Sequence, residues 1–264
     1  MNRNKKRIIL IFLLCVILLV GALQFLLPSR NGTRILSTPS YFIAHATGEI
    51  DGFPYTNSKE SLIKSLENGY HYVEVDLGMT ADSIMVLVHE WDEFNEMCLG
   101  DSAVKGYIPT YEEFKRRRIY GKYTPLSVRE LMEIQKEHPF TIITDKIDNP
   151  DLLDKFFSCD KSQIQVEAFS DEAYFALQKA GYIPMRALNG IDFKHYKGFL
   201  KNGIDYKWVT ANSYSNWNYL RLLRFLFGVK VAVYTVNDET FFLEHLGKEI
   251  DLVYTDNWNL QNHK

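Results

Sequence analysis

The fold class this chain predicts is an α/β barrel of the TIM type, (β/α)8, behind one N-terminal transmembrane helix. Three observations predict it. Apolar strand patterns alternate with helical ones about eight times after residue 41. Several strands end on polar residues, at the strand ends where that fold builds its sites. An uncharged apolar run near the start has the roughly 20 residues a bilayer-spanning helix needs. A doubly wound open sheet carries the same alternation and remains the rival; the polar strand ends favour the barrel. The chain has 264 residues, is 46% hydrophobic and has a net charge of -3, which describes one sizeable folded domain with no excess positive charge for nucleic acid.

Asn2-Arg3-Asn4-Lys5-Lys6-Arg7 precedes the apolar run from Ile8 to about Leu27. The positive-inside rule keeps this tip cytoplasmic and exports everything after Pro28, giving a single-pass membrane protein with an extracytoplasmic domain. A cleavable signal peptide is the alternative, but its apolar core is usually shorter, and no small-residue cleavage site stands out near Gly21-Ala22. The expected organisation is therefore a tip and anchor over 1–28, a polar linker over 29–40 and the barrel over 41–264. Asn31-Gly32-Thr33 matches a glycosylation acceptor, which matters only in a eukaryotic secretory host. Cys15 lies in the anchor, leaving Cys98 and Cys159 either to pair in an exported domain or to stay free.

Tyr41 to His45 reads as a strand ending on histidine, and Ser58 to Asn68 as a helix capped by Ser58 and stopped by Gly69. Next comes Tyr72-Val73-Glu74-Val75-Asp76-Leu77. Side chains alternate across a strand, so Glu74 and Asp76 share one face while Val73, Val75 and Leu77 share the other. Adjacent carboxylates repel; a hard divalent cation, Mg²⁺ or Ca²⁺, is what usually stabilises them on a half-buried face, while a solvent-facing strand edge is the plainer reading. The step from Asp76 to Ile84 is too short for a crossover helix, so Thr80-Ala81-Asp82-Ser83 reads as a tight turn. The return segment, Ile84 to His89, then brings His89 level with Asp76.

From Glu90 to about Pro125 no long apolar period exists, only a short helical pattern at Tyr111 to Arg118. This predicts an insertion or lid over the site. Its Lys115-Arg116-Arg117-Arg118 run suits either a solvated helix face or an anionic lipid or phosphate polymer, the solvated face being the better expectation. Further strands are expected at Thr141 to Asp145, Ile164 to Glu167, Ile183 to Leu188, Lys207 to Ala211, Val229 to Val236 and Leu252 to Thr255. Helices are expected at Asp171 to Ala180, Asn216 to Phe227 and Glu239 to Leu246.

The stretch from His45 to Trp91 resembles the glycerophosphodiester phosphodiesterases. Their pattern runs from a His-Arg-Gly strand end through a Pro-Glu-Asn-Thr helix start to Glu-x-Asp, Thr-x-Asp-Gly and a closing His-Asp. Here the matching stretches are His45-Ala46-Thr47-Gly48, Tyr55-Thr56-Asn57-Ser58, Glu74-Val75-Asp76, Thr80-Ala81-Asp82-Ser83 and His89-Glu90. Thr235-Val236-Asn237 and Thr255-Asp256 extend the likeness towards the C-terminus. The resemblance implies a metal-dependent phosphodiesterase in which His45 and His89 perform acid-base chemistry. Glu74, Asp76 and a third carboxylate from a middle strand, Asp145, would hold a divalent cation. Glu167 is the weaker candidate for that third place, since it is expected to face outward. Lys146 would reach the substrate phosphate only if its strand is already turning there; otherwise it shields Asp145 from outside.

The departures are Ala46, where the family has arginine, and Thr56, where it has glutamate, so one phosphate-neutralising fork is lost. The expected partner is a glycerophosphodiester, or a phosphodiester-containing lipid or envelope polymer. The alternatives are a degenerate barrel that binds phosphorylated glycans or lipids without turnover, and a lyase resembling sphingomyelinase D that releases a cyclic phosphate.

Overall fold

The computed structural model describes residues 11–16, 18, 32–188 and 206–263. Its centre is a closed sheet of eight parallel strands: β1 (Phe42–Ala44), β2 (Tyr72–Met79), β4 (Thr141–Asp145), β5 (Ile164–Ala168), β6 (Ile183–Ala187), β7 (Trp208–Asn212), β8 (Lys230–Tyr234) and β9 (Leu252–Thr255). A ninth strand, β3 (Met85–Leu87), pairs antiparallel with β2. Because β1 pairs with both β2 and β9, the sheet has no open edge, and the doubly wound alternative is excluded.

Two faces of each strand explain the core. Val73, Val75 and Leu77 of β2, Ile142 of β4, and Ile164 and Val166 of β5 point outward into the large apolar cluster under the helices. Ile43, Tyr72, Ile143, Met185, Ala232, Leu252 and Tyr254 point inward and fill the lower barrel. Glu74 and Asp76 continue the inward face of Tyr72 toward the C-terminal end of the strand. The inner wall is therefore apolar below and acidic at the mouth.

The first crossover helix, α1 (Lys59–Asn68), begins where Ser58 Oγ accepts the Ser61 amide. It ends at Gly69, whose φ of 97° suits the left-handed cap glycine tolerates. Most expected elements lie within one or two residues of the observed ones. In the stretch from Glu90 to Pro125 the expected helical pattern at Tyr111 to Arg118 is found as a helix ending at Arg116, and a second helix, not expected from the sequence, precedes it. The stretch contains helices α2 (Trp91–Leu99) and α3 (Tyr111–Arg116) and a small core of Phe94, Phe114, Ile119 and Tyr123 against Val86 and Val88. Each short helix buries a single large aromatic, so no long apolar period could mark it in the sequence.

The basic run is largely committed internally. Lys115 pairs with Glu130 at 2.7 Å, and Arg117 bonds Asn95 and lies over the Phe94 ring, leaving Arg116 and Arg118 in solvent. Cys98 and Cys159 are free thiols. Residues 11–16 and 18 are helical, with exposed apolar side chains such as Ile11 and Phe12. Among the described residues no helix is long and apolar enough to cross a membrane; the remainder of the expected anchor, and Asn31, lie outside them.

Gly78 holds the β2–β3 hairpin closed. A Cβ there would stand 2.3 Å from Val88 Cγ1 and 3.6 Å from the Trp91 ring. Val88 is 5% exposed and β-branched, so it has little freedom to yield. Gly78→Ala is expected to cost about 1–3 kcal/mol, lowering Tm by roughly 2–4 °C per kcal/mol. Calorimetric melting checks this, and an unchanged Tm would show that the hairpin is not tightly packed at this point.

Candidate active site

The acidic trio forms from strand register. Asp76 of β2 lies directly beside Asp145 of β4, and Glu74 lies one inward position below Asp76. One carboxylate oxygen from each of Glu74, Asp76 and Asp145 can be chosen so that all three lie within 4.8 Å of one another. Glu74 and Asp76 are each only 2% exposed. Burial first, and then the neighbouring Asp76 and Asp145, push the Glu74 carboxyl well above its ordinary range. Asp145 is likewise raised, chiefly by burial.

Glu74 Oε2 accepts the Ala46 amide at 2.6 Å, whereas its Oε1 is buried and has no partner. An orphaned carboxylate oxygen facing two further carboxylates is the donor set a hard cation requires, so the trio fits a divalent metal ion. Asn57 fixes the remaining acid: its Nδ2 donates to Asp76 Oδ2 at 2.9 Å and its Oδ1 accepts the Asp76 amide.

His45 follows β1 directly and continues the inward side of Ile43. Its Nδ1 is 2.8 Å from Asp256 Oδ1, so donation there leaves Nε2 toward the mouth. Asp256 follows β9, and Asn237 grips it by donating Nδ2 to Oδ2 and accepting the Asp256 amide, both at 2.8 Å. Burial raises the Asp256 carboxyl, but the hydrogen bonds from His45 and Asn237 outweigh it and hold the group below its ordinary range. His89 is built differently. It follows the return strand, where the Val88 amide donates to Asp76 O at 2.9 Å, and its Nδ1 meets Glu93 Oε2 at 2.7 Å across one helical turn.

Lys146 has a φ of 72°, so the chain is indeed turning there. Its Nζ is 3.1 Å from Glu90 Oε1. The outward expectation for Glu167 is corrected. Val166 and Ile164 occupy the outer face of β5, so Glu167 points into the barrel, where it accepts Tyr254 Oη at 2.5 Å and Thr210 Oγ1 at 3.0 Å. Burial and the nearby Asp145 charge push it up to about 8. It lines a cavity of about 130 Å³ together with His45, Glu74, Asp145, Phe169, Tyr234 and Tyr254.

The structure brings the expected Glu74, Asp76 and Asp145 together and sets His45 and His89 on either side of Tyr55, while the residues that orient them are not among those expected from the sequence. Glu93 had a signal in its i, i+4 spacing from His89, and Asp256 in the late Thr-Asp match. Asn57 also sat inside a matched motif. Tyr55 had none. Its ring centroid lies 4.8 Å from that of His45 and 4.7 Å from that of His89, so it touches both imidazoles.

Comparison with known proteins bears on this arrangement. Residues 47–177 match the glycerophosphoryl diester phosphodiesterase family. No curated protein matches the chain significantly. Among solved structures, a phosphodiesterase from Oleispira antarctica in complex with the product sn-glycerol-3-phosphate is 18% identical, with a TM-score of 0.67 over 87% of this chain and 98% of its own. A glycerophosphodiester phosphodiesterase from Thermotoga maritima is 20% identical, with a TM-score of 0.62 over 84% and 96%. A glycerophosphoryl diester phosphodiesterase from Parabacteroides distasonis is 16% identical, with a TM-score of 0.65 over 86% of each chain. At these identities the structures establish a shared fold. With the family match lying over Glu74, Asp76, His89 and Asp145, the chain belongs, as a divergent member, to the glycerophosphoryl diester phosphodiesterase family of phosphoric diester hydrolases.

Proposed function

We propose that this barrel hydrolyses glycerophosphodiester-like bonds by histidine acid-base catalysis with a divalent cation, Mg²⁺ or Ca²⁺, held by Glu74, Asp76 and Asp145. The observation that carries the reading is the meeting of those three carboxylates, one oxygen of Glu74 unpartnered, with two imidazoles each tied by Nδ1 to its own carboxylate. When bound, the cation would draw charge from the non-bridging phosphate oxygens as it develops. The protein's own groups handle the protons. One imidazole takes the proton of the attacking water, or of a substrate hydroxyl; the other gives a proton to the departing alkoxide. Asp256 and Glu93 each hold one ring in place through its Nδ1. A substrate hydroxyl as nucleophile gives a cyclic phosphate instead of direct hydrolysis.

We further propose that the domain is exported and anchored. Six residues including four cations, followed by the apolar run to Leu27, support this reading. In cells producing the full chain, protease added outside should degrade the barrel. Protection from external protease that is lost only on lysis would contradict the orientation.

His45→Ala and His89→Ala are each expected to lower kcat on a glycerophosphodiester by about 10²–10⁴-fold, and chelation is expected to abolish turnover reversibly. Turnover unchanged in both variants would remove the acid-base assignment. Tight phosphate-ligand binding without turnover in the unmodified protein would instead support the degenerate-barrel alternative, which the loss of a cation at Ala46 favours.

The raised carboxyls set a pH dependence. Glu74, Asp145 and Glu167 retain protons in the folded metal-free protein that the unfolded chain releases. Between about 4.3, the ordinary glutamate value, and about 8, the value for Glu167, their contribution to stability therefore falls as pH rises. Metal binding needs the deprotonated forms, so Mg²⁺ should raise Tm more at about pH 8 than at about pH 5. Glu167→Gln should flatten the metal-free slope. Differential scanning fluorimetry across this range is the check; an equal metal effect at both ends would contradict it.

A further inference from the structure

Tyr55 sits where two proton carriers face each other, and nothing in the acid-base scheme uses it. Its backbone φ is 57°, in the left-handed region that a bulky aromatic residue seldom occupies. Strain of this kind persists where surrounding structure holds a side chain in a required place. Here the consequence is visible: the ring packs edge-on against His45 at 79° and tilted against His89 at 48°. Thr235 lies within hydrogen-bonding reach of the phenol, and the charges of Asp256, Asp76 and Glu74 all act on it. The ring thus lies between the two imidazoles, with Thr235 beside its hydroxyl.

The electrostatics of the mouth give that hydroxyl a task. A phosphodiester is an anion approaching a wall of carboxylates, and donors to its oxygens are scarce. The Ala46 amide is spent on Glu74 Oε2, and the Lys146 ammonium is drawn to Glu90. A phenol keeps its proton at neutral pH and donates without bringing a competing negative charge.

We infer that Tyr55 is a substrate-contacting residue of this site, its ring spacing the two imidazoles and its hydroxyl donating a hydrogen bond to a phosphate oxygen. The inference rests on the phosphodiesterase reading above. It assigns the ring and the hydroxyl separable roles. The ring sets the relative placement of the two imidazoles, so its loss would disturb both proton transfers together. The hydroxyl contributes to holding the phosphate and to stabilising charge as the bond breaks.

The test compares Tyr55→Phe and Tyr55→Leu with the unmodified protein on a glycerophosphodiester in Mg²⁺, with His45→Ala run alongside. Tyr55→Phe is expected to lower kcat/KM by about 10–100-fold with an unchanged pH profile, as loss of one hydrogen bond to a charged group does. Tyr55→Leu is expected to lose more and to change the shape of the pH-rate profile. A Tyr55→Phe value within about twofold of the unmodified protein overturns the donor role, and a Tyr55→Leu variant faster than the unmodified protein shows the ring to be a plug. If the unmodified protein does not turn the substrate over, the phosphodiesterase reading fails instead, and a fully active His45→Ala removes the acid-base role of His45. Calorimetric titration of the Mg²⁺-supplemented proteins with sn-glycerol 3-phosphate decides the matter without turnover: weaker binding by Tyr55→Phe supports the donor, and equal binding overturns it. Circular dichroism melting confirms that each variant is folded.

Discussion

Mutual repulsion among carboxylates is the constraint on which this site depends. Glu74, Asp76 and Asp145 share the inner face at one end of the barrel, and Glu167 faces the same cavity. Buried acids that cannot move apart must hold protons, accept strong hydrogen bonds or surround a cation. Each of the first two solutions is present. Asp76 is gripped by Asn57, Glu74 takes the Ala46 amide, and Glu167 takes two hydroxyl donors and is pushed up to about 8. The unpartnered Glu74 oxygen is what these hydrogen bonds leave over, and it points to the third.

The scaffold makes this arrangement rigid. Closure of β1 onto both neighbours places the residues following β1 and β9, His45 and Asp256, side by side. The hairpin after β2 performs the same service for His89, carrying it back along the strand that bears the acids. That hairpin is itself braced by the small core of the inserted helices, so the insertion acts as a buttress for one imidazole. Mutations in the insertion that never touch the mouth can therefore alter its chemistry.

Much of this was legible in the sequence because strand alternation is a strict rule. Once Val73, Val75 and Leu77 are placed outward, Glu74 and Asp76 must face inward, and the short Asp76–Ile84 connection forces the hairpin. Glu167 was misplaced for a related reason: both faces of β5 are buried, so its polarity gave no reliable sense of direction. The helix Trp91–Leu99 has no clear signal in the sequence because it buries a single large aromatic, Phe94. Asp256 reaches His45 across the fold, and no local pattern fixes which loop residues meet at a barrel mouth. Hydrogen-bond partners 211 residues apart, as His45 and Asp256 are, belong to topology.

The central claim is that the three carboxylates form one cation site between the two imidazoles. Anomalous diffraction from crystals of the barrel soaked in Mn²⁺ tests it most directly. One strong peak contacting Glu74, Asp76 and Asp145, including the Glu74 oxygen that now lacks a partner, is the predicted result. A peak elsewhere, or none at concentrations that support turnover, would contradict the account.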